Sequence, residues 1–500
     1  MSIVVVGNGM AGSRLVTELR ARDRKVPITV FGAEPQRPYN RVLLSNVLAG
    51  HTRPDHIELV DEAWYERQDV DVRAGVSVLS IDREARVVLA SDGSVTPYET
   101  LVLATGSTAF IPPMPVLGPD GREGSAAEGL PSGALAFRTL EDCQEIIEMA
   151  RTARRAVVVG GGLLGIEAAR GLVGRGLEVT VLHLAGHLME RQLDPEGGRV
   201  LARTLDGLGI GSRLNAAVSA LRTAEGPDGG PVVCGVELSL PGGGGEFVEA
   251  DLVVLSCGVK PEVSLARDAG LAVGRGILVD DELRSVDDPD VRAIGECCEH
   301  RDEVYGLVAP AWQQAEVLAG LLAGTEPAAR FTGAKQVTRL KAASIELASM
   351  GETHHGDEDE DVEVLRFADS SRGTYKKVVI RDGRLIGAIL LGDTSTAGTL
   401  TQLYDRASAL PSERLSLLFG GIGGIGGAAS ADTPVRMPDA ATVCHCNNVS
   451  KGRIRACWQD GARTAEEVAE ATRASTGCGS CRDALEGIVS WLQEQESVDV

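Results

Sequence analysis

The sequence has 500 residues, enough for about three or four domains of ordinary size. Hydrophobic residues make up 43% and charged residues 24%, an ordinary globular composition, and the formal net charge is −22. This charge disfavours phosphate backbones and anionic lipid, and no stretch reaches the roughly 20 uninterrupted apolar residues of a spanning helix, so we expect neither nucleic acid nor membrane as a partner.

The N-terminal segment predicts a βαβ unit. A β-branched run at 3–6 (IVVV) leads into a Gly-rich turn, residues 13–23 predict a helix, and 28–31 (ITVF) predict a second strand. The short apolar N-terminus has no basic region before it, so we expect a buried strand in a cytoplasmic protein and not a signal peptide.

The same order of elements recurs at 156–182, where AVVV is followed by GGGLLG, a helix predicted at 166–176, and EVTVL. Between the two units, YETLVLATGS at 98–107 predicts a buried strand that ends in a turn of small residues. Apolar runs at 251–258 and 291–298 predict two later strands, and we assign both to the first nucleotide fold.

The C-terminal third predicts three further segments. Residues 375–393 form a hairpin of two apolar strands around an Asp-Gly turn, and the acidic run at 357–361 is expected to be a solvated loop. The Gly-rich stretch at 420–430 predicts a flexible tether, which is followed by a compact segment at 441–493.

The first Gly-rich turn, GNGMAG at 7–12, has the spacing of a dinucleotide-binding loop. Gly7 permits the tight turn, Gly9 lets the backbone approach a pyrophosphate, and Gly12 allows the helix to pack closely on the strand. Glu34 ends the second strand, where its carboxylate is placed to accept hydrogen bonds from ribose hydroxyls. The strand, the loop, the helix and the acid together predict a bound dinucleotide.

The second loop repeats this pattern with Gly160, Gly162 and Gly165, and Glu167 lies just inside its helix. Here the second strand ends at His183 and not at an acid, which removes one barrier to a 2′-phosphate. Alternatively His183 is a surface residue and NAD still binds, so the sequence leaves NADH and NADPH open. Two nicotinamides would form no useful redox pair, so one of the two nucleotides is expected to be a flavin.

Four cysteines near the C-terminus have the pattern C-x-C-x31-C-x2-C. Their thiolates can ligate one iron–sulfur cluster, and a structural zinc site is the competing interpretation. The predicted metal ligands are Cys444, Cys446, Cys478 and Cys481. Adjacent cysteines rarely form an unstrained disulfide, so the role of Cys297 and Cys298 stays open.

Several motifs resemble known families. GNGMAG, LVLATGS, VVGGGLLGIEAA and VRAIGEC, in this order, resemble the flavoprotein reductases with two dinucleotide-binding domains. VCHCNNVSKG and STGCGSC resemble the bacterioferritin-associated-ferredoxin type of [2Fe–2S] domain. PYNRVLLS, HLMERQLDPEGG, VYGLVAPAWQQAEVLAG and FTGAKQVTRLKAA resemble the N-terminal half of the large subunit of NAD(P)H nitrite reductases and the electron-transfer subunit of assimilatory nitrate reductases.

The resemblance implies an α/β fold of the glutathione-reductase type. It has two Rossmann-like dinucleotide-binding domains, an α+β interface domain and a small helical [2Fe–2S] domain. The expected limits are 1–112 and 248–325 for the FAD-binding domain, 113–247 for the NAD(P)H-binding domain, 326–418 for the interface domain, 419–437 for the linker and 438–500 for the [2Fe–2S] domain.

The resemblance also implies roles for single residues. Gly7, Gly9, Gly12 and Glu34 would hold the ADP half of FAD, with Tyr39 and Arg41 near the flavin. Ala104, Thr105 and Gly106 would form the turn near the flavin, and Gly295 and Glu296 would approach the ribityl-pyrophosphate. The family usually has Gly-Asp there, so Glu296 is a departure. Hydride transfer to a flavin depends on ring proximity, so no catalytic side chain is assigned.

The expected function is an NAD(P)H-dependent reductase that passes electrons through FAD and a [2Fe–2S] cluster to a partner. The leading partner is the molybdenum catalytic subunit of an assimilatory nitrate reductase. Alternatives are a separate nitrite reductase, rubredoxin or ferredoxin, or a sensory role, and the interface domain leaves a homodimer open. Nitrite reductase large subunits continue into sirohaem domains whereas this sequence ends at Val500, so we do not expect it to reduce nitrite itself.

Overall fold

The computed structural model describes residues 2–61, 63–119, 123–240, 244–342, 345–420, 437–444, 447, 449–475 and 481–498. The chain divides into two compact units. The first unit comprises Met1–Arg41, Thr52–Ala109 and Val259–Ala334, and the second unit comprises Val42–His51, Phe110–Gly258 and Lys335–Val500. The domain limits given above remain a prediction.

The strands, in chain order, are β1 (Ile3–Val6), β2 (Ile28–Gly32), β3 (Asp71–Ala74), β4 (Val78–Asp82), β5 (Val87–Ala90), β6 (Val95–Pro97), β7 (Thr100–Leu103), β8 (Ser107–Ala109), β9 (Pro115–Leu117), β10 (Glu123–Ser125), β11 (Ala134–Ala136), β12 (Arg155–Val159), β13 (Glu178–Leu182), β14 (Ile210–Arg213), β15 (Ala217–Glu225), β16 (Pro231–Leu240), β17 (Gly244–Glu249), β18 (Leu252–Leu255), β19 (Val259–Pro261), β20 (Ile277–Val279), β21 (Val291–Ala293), β22 (Cys298–His300), β23 (Val337–Ala342), β24 (Ile345–Gly351), β25 (Glu363–Asp369), β26 (Thr374–Arg381), β27 (Arg384–Leu391), β28 (Thr442–Cys444) and β29 (Val449–Ser450).

The α-helices are α1 (Met10–Arg22), α2 (Leu44–Leu48), α3 (Trp64–Arg67), α4 (Leu140–Met149), α5 (Leu163–Gly174), α6 (Pro195–Gly207), α7 (Ser264–Asp268), α8 (Val308–Leu322), α9 (Ala397–Arg406), α10 (Ser416–Phe419), α11 (Lys451–Gln459), α12 (Ala465–Thr472) and α13 (Arg482–Val498). Short 3-10 helices occur at Arg41–Leu43, Pro54–Ile57 and Gly295–Cys297. No helix among these described residues is long and apolar enough to cross a bilayer.

The first unit is built on a parallel sheet with the strand order β21-β7-β1-β2-β3. Its central strand β1 pairs in parallel with β2 and β7, and all four of its side chains are buried. Helices α1 and α8 pack against each other in this unit, with the Arg14 guanidinium 5.2 Å above the Trp312 ring. The strands predicted at 3–6, 28–31 and 98–107 are therefore confirmed as β1, β2 and β7. The strand predicted at 291–298 is shorter than expected, because β21 ends at Ala293 and the 3-10 helix Gly295–Cys297 follows it.

Both nucleotide-fold helices begin earlier than the sequence predicts. The helices predicted at 13–23 and 166–176 run instead from Met10 to Arg22 and from Leu163 to Gly174. Each begins directly after the middle glycine of its loop, because close packing of the helix on the strand outweighs the low helix propensity of the glycines inside its first turn.

The second unit contains a parallel sheet with the order β11-β18-β12-β13-β14 and an antiparallel excursion, β15 to β17, within the sheet β10-β9-β15-β16-β17. The strand predicted at 251–258 is Leu252–Leu255, and it pairs in parallel with β12 in this unit. Its assignment to the first nucleotide fold is wrong. An apolar run indicates a buried strand but not the sheet to which it belongs. Here the antiparallel strands β15 to β17 return the chain to the sheet of the second unit, so β18 pairs there.

A third sheet of the second unit has the order β23-β24-β27-β26-β25 and is antiparallel. The predicted hairpin is confirmed: β26 and β27 pair around Asp382 and Gly383, at φ +50° and +70°. Residues 357–361 lie in a turn that is largely exposed, as predicted.

The C-terminal part of the second unit is small and mainly helical. Helices α11, α12 and α13 surround a core that includes Ile454, Trp458, Val468 and Leu485. The predicted tether at 420–430 lies, apart from Gly420, outside the described residues.

Candidate cofactor sites

The first Gly-rich loop forms a tight cradle with open space at its centre. Gly7 has φ +116°, and a Cβ there would lie 2.1 Å from the Ala104 carbonyl oxygen. A Cβ on Gly12 would lie 2.0 Å from the Gly7 oxygen, whereas a Cβ on Gly9 would meet nothing within 4 Å. Gly9 is the N-cap residue of α1, and no side chain among the described residues caps the first N–H groups of this helix. Helix N–H groups facing open space suit the diphosphate of a dinucleotide, so the residues fit this group.

The acid at the end of β2 is held by two neighbours. The Tyr39 hydroxyl donates to Glu34 Oε2 at 2.7 Å, and the Arg41 guanidinium pairs with Glu34 Oε1. The Arg41 guanidinium also lies 5.0 Å from the Tyr39 ring centre. Each carboxylate oxygen keeps a second lone pair for a ribose hydroxyl. The structure thus brings Tyr39 and Arg41 to Glu34, and their proximity to the flavin stays a prediction.

The turn after β7 lies directly against the first loop. The Ala104 N–H donates to the Val6 carbonyl at 2.8 Å, and the Thr105 hydroxyl donates to the Glu262 carbonyl at 2.7 Å. Gly106 has φ +72° and accepts the Glu262 N–H at 2.9 Å. These bonds fix the turn at the carboxyl end of the sheet, beside Gly7.

The segment after β21 approaches the same place. Gly295 has φ +81°, and a Cβ there would lie 2.9 Å from the Ala11 Cβ at the start of α1. Its N–H donates to Oε1 of the buried Gln314 at 2.8 Å. Glu296 Oε2 accepts from the Ser107 hydroxyl at 2.6 Å. Three sequence-predicted segments therefore meet at the N-terminus of α1.

The second Gly-rich loop repeats this geometry in the second unit. Gly160 has φ +119°, and a Cβ there would lie 2.1 Å from the Ser256 oxygen. A Cβ on Gly165 would lie 1.9 Å from the Gly160 oxygen, while a Cβ on Gly162 would meet nothing within 4 Å. Glu167 is half-buried just beyond the first turn of α5. This loop has room for a second diphosphate.

His183, which ends the second strand, is buried and is not a surface residue. The Gly161 N–H donates to its Nδ1 at 3.1 Å, and its Nε2 lies 3.0 Å from the Glu190 carboxylate. The sequence alone does not indicate Glu190, because no spacing rule places a residue seven positions after the strand end beside the phosphate loop.

Two of the four predicted metal ligands lie within the described residues. Cys444 ends β28, Cys481 directly precedes α13, and both are buried in the same hydrophobic cluster. Cys446 and Cys478 lie outside the described residues. The Asn447 amide donates to the Arg473 carbonyl and so joins the segment of the first cysteine pair to the segment that precedes the second.

Cys297 and Cys298 are fully buried thiols. Burial raises the pKa of both, so both stay protonated near neutral pH. Cys297 Sγ lies 3.3 Å from the Ile294 carbonyl, and Cys298 Sγ accepts from the Gln314 amide at 3.2 Å. They act as packing groups in the core of the first unit.

Residues 1–315 match the family of pyridine nucleotide-disulphide oxidoreductases. The chain belongs to this family. Residues 337–407 of this pyridine nucleotide-disulphide oxidoreductase match the rubredoxin NAD+ reductase C-terminal domain, and residues 442–491 match the BFD-like [2Fe-2S] binding domain. The predicted fold class is confirmed, and so are the predicted cofactors FAD, NAD(P)H and a [2Fe–2S] cluster.

Curated relatives extend the similarity over almost the whole oxidoreductase. The chain is 37% identical to the nitrite reductase [NAD(P)H] of Bacillus subtilis (strain 168), and the alignment covers 97% of this chain and 57% of that protein. It is 35% identical to the assimilatory nitrate reductase electron transfer subunit of the same organism, covering 99% of this chain and 60% of that protein. The chain therefore spans less than two thirds of the length of these relatives.

Solved structures agree with the fold of the oxidoreductase. A ferredoxin reductase from Rhodopseudomonas palustris superposes with a TM-score of 0.72 at 25% identity, covering 84% of this chain and 98% of that one. The NADH:rubredoxin oxidoreductase of Clostridium acetobutylicum superposes with a TM-score of 0.65 at 24% identity, covering 84% and 100%.

Proposed function

We propose that this oxidoreductase takes electrons from NAD(P)H and delivers them singly to a separate redox protein, the molybdenum catalytic subunit of an assimilatory nitrate reductase. The observation that carries the proposal is a [2Fe–2S] domain at 442–491 in the same chain as a nucleotide-dependent reductase. The relative named as an assimilatory nitrate reductase electron transfer subunit matches 99% of the chain, which supports the choice of partner.

The first loop is assigned to FAD. Gly7, Gly9 and Gly12 admit the pyrophosphate to the N-terminus of α1, since only the position above Gly9 is open. Glu34, held by Tyr39 and Arg41, presents its remaining lone pairs to the adenosine ribose. Removing either holding residue would loosen the carboxylate.

Backbone groups of two segments complete the FAD site. Ala104, Thr105 and Gly106 form a rigid turn beside the first loop, and Gly295 approaches the start of α1. Glu296 is held by Ser107, as a positioned carboxylate at the ribityl side. Bound at this site, FAD would supply two-electron hydride chemistry, and a [2Fe–2S] cluster would supply one-electron transfer.

The second loop is assigned to NAD(P)H. Gly160, Gly162 and Gly165 provide the same open cradle at the N-terminus of α5. Glu167 and His183 flank it, Glu167 in the helix and His183 at the end of β13. These residues bind and orient the nucleotide, and no side chain is required to move a proton.

The cluster is assigned to Cys444, Cys446, Cys478 and Cys481. Cys444 and Cys481 are buried in one hydrophobic core, which excludes water from this side of the site. Four thiolates can hold a [2Fe–2S] cluster, whereas zinc in the same place could accept no electron.

A reconstituted assay tests the proposal. The purified chain, NADH or NADPH, nitrate and a molybdenum nitrate reductase catalytic subunit should together form nitrite, and omission of the chain should abolish it. The Cys444→Ser variant should still reduce ferricyanide, which takes electrons from the flavin, but should lose nitrite formation. Unchanged nitrite formation in Cys444→Ser would contradict the proposed route of the electrons. A sensor would be reduced once by NAD(P)H and would show no turnover of the acceptor.

A second acceptor is favoured by a separate observation. The 37% identity to a nitrite reductase [NAD(P)H] exceeds the 35% identity to the nitrate reductase subunit. A parallel assay replaces the nitrate reductase subunit with a sirohaem nitrite reductase domain and nitrate with nitrite, and the formation of ammonium in it distinguishes the two acceptors.

A further inference from the structure

The strand end of the second nucleotide fold carries a neutral, buried histidine. The Gly161 N–H can only donate, so His183 Nδ1, 3.1 Å away, accepts this bond and carries no proton. The ring proton is therefore on Nε2, where it is donated to the Glu190 carboxylate at 3.0 Å. With both bonds in place, His183 offers no positive charge to a 2′-phosphate.

The loop after His183 holds Glu190 in this position through its backbone. Met189 is fully buried at φ +53°, and its N–H donates to the Gly161 carbonyl at 2.9 Å. The Leu193 N–H donates back to the Met189 carbonyl at 2.8 Å. A left-handed conformation at a residue other than glycine persists only where the surroundings fix it, so the loop fixes Glu190 beside the phosphate loop.

Glu190 places a carboxylate beside the end of β13, where the residue at the strand end is His183 and not an acid. Its side chain is 40% exposed, so a ligand can reach it. A carboxylate near the adenosine ribose accepts a hydrogen bond from a 2′-hydroxyl and repels a 2′-phosphate. We propose that Glu190, held by His183, makes this site select NADH over NADPH, an inference that rests on the assignment of the Gly160–Gly165 loop to NAD(P)H.

Two arginines would act in the opposite direction. Arg213 ends the neighbouring strand β14, and its carbonyl accepts the His183 N–H at 2.8 Å, although its guanidinium faces Glu246 at 3.7 Å. Arg191 follows Glu190 and is exposed. If either of them bound a 2′-phosphate, the site would prefer NADPH, so the nucleotide preference itself distinguishes the two arrangements.

The test uses the whole chain, purified with its FAD. Steady-state kcat/KM with ferricyanide is measured for NADH and NADPH, and the Kd of NAD+ and NADP+ is measured by calorimetry. The unmodified protein should prefer NADH, and Glu190→Gln, which keeps an acceptor for His183 Nε2–H, should reduce the preference about tenfold, mainly through tighter NADP+ binding. Glu148→Gln on α4 removes an exposed charge elsewhere and should leave the ratio unchanged.

A conservative variant shows whether the nucleotide preference depends on the charge of Glu190 or only on the structure of its loop. Glu190→Asp keeps the charge and should keep the preference for NADH, and flavin content should match in all variants. A preference for NADPH in the unmodified protein, or an unchanged ratio in Glu190→Gln, would overturn the inference. If neither nucleotide binds or reduces the protein, the proposed function fails instead.

Discussion

Two glycines with open space beside them distinguish the nucleotide loops from ordinary tight turns. A Cβ on Gly9 or Gly162 would meet nothing within 4 Å, whereas a Cβ on Gly12 or Gly165 would collide with backbone. The open positions are where a diphosphate must approach, so a side chain there competes with the ligand and not with the fold.

We therefore expect two separable losses. Gly9→Val should fold but purify with less than about a tenth of the flavin, because the branched side chain fills the pyrophosphate space. Gly162→Val should retain flavin but lose binding of nicotinamide nucleotides. Flavin absorbance per chain and calorimetry measure the two effects, and loss of flavin in Gly162→Val alone would contradict the assignment of the loops.

The adjacent thiols of Cys297 and Cys298 are expected to resist alkylation in the folded protein. Burial raises the pKa of both thiols, so the reactive thiolate is scarce at pH 7 to 8. Iodoacetamide should leave both unmodified in the native chain and should modify both in urea, as read by peptide mass spectrometry. Native-state alkylation at either position would indicate an accessible redox role.

At the residue scale, the glycines of both loops and the strand-end acid could be singled out from the sequence because each serves a local geometric need, and the tight positions at Gly7, Gly12, Gly160 and Gly165 are those that the spacing predicts. The bond from Tyr39 to Glu34 and the bond from His183 to Glu190 were not predicted. Both depend on loops that fold back after a strand, and in the second case on the left-handed backbone at Met189, which no residue pattern indicates.

At the scale of elements, neighbouring lysines on β26 extend to different partners. Lys376 Nζ donates to Asp393 at 2.6 Å, and Lys377 Nζ donates to Asp194 at 2.7 Å, at the N-cap of α6. Both lysine side chains are buried, but the Asp393 side chain is 49% exposed and the Asp194 side chain only 10%. The two pairs therefore differ in what remains when the lysine is removed.

Lys377→Met should be the more destabilising of a matched pair of variants. It leaves the Asp194 carboxylate buried with its main charge partner gone, which costs about 3 kcal/mol or more. Lys376→Met leaves Asp393 able to hydrate but removes the bond from Lys376 Nζ to the Leu418 carbonyl, so it should cost about 1 kcal/mol. The shift in the urea midpoint of the second unit measures the difference. Equal shifts would show that exposure of the partner does not control the cost.

Strands and hairpins could be predicted where the pattern of apolar residues is local. The sheet to which a strand belongs was misassigned where it depends on the topology of the chain. The hairpin of β26 and β27 follows from two apolar runs around Asp-Gly, and it forms as predicted. Leu252–Leu255 gives the same kind of apolar signal, yet its sheet depends on strands β15 to β17, which carry the chain away and back within the second unit.

At the scale of the whole molecule, one chain joins a nucleotide-dependent flavoprotein to a one-electron centre. The order of motifs along the sequence was enough to predict this combination, because each Gly loop and each cysteine pair has a fixed spacing. The spacing of the four cysteines was enough to propose them as cluster ligands, whereas the bond between Asn447 and Arg473, which joins their segments, was not predicted.

The presence of a flavin and a [2Fe–2S] cluster in one chain is tested most directly by metal, sulfide and EPR analysis of the chain purified without oxygen and then reduced with NADH. We expect about two iron and two acid-labile sulfide per chain, bleaching of the flavin, and an EPR signal of a reduced [2Fe–2S] centre that is absent in Cys444→Ser. Zinc in place of iron, with flavin that is reduced but no paramagnetic centre, would contradict this expectation.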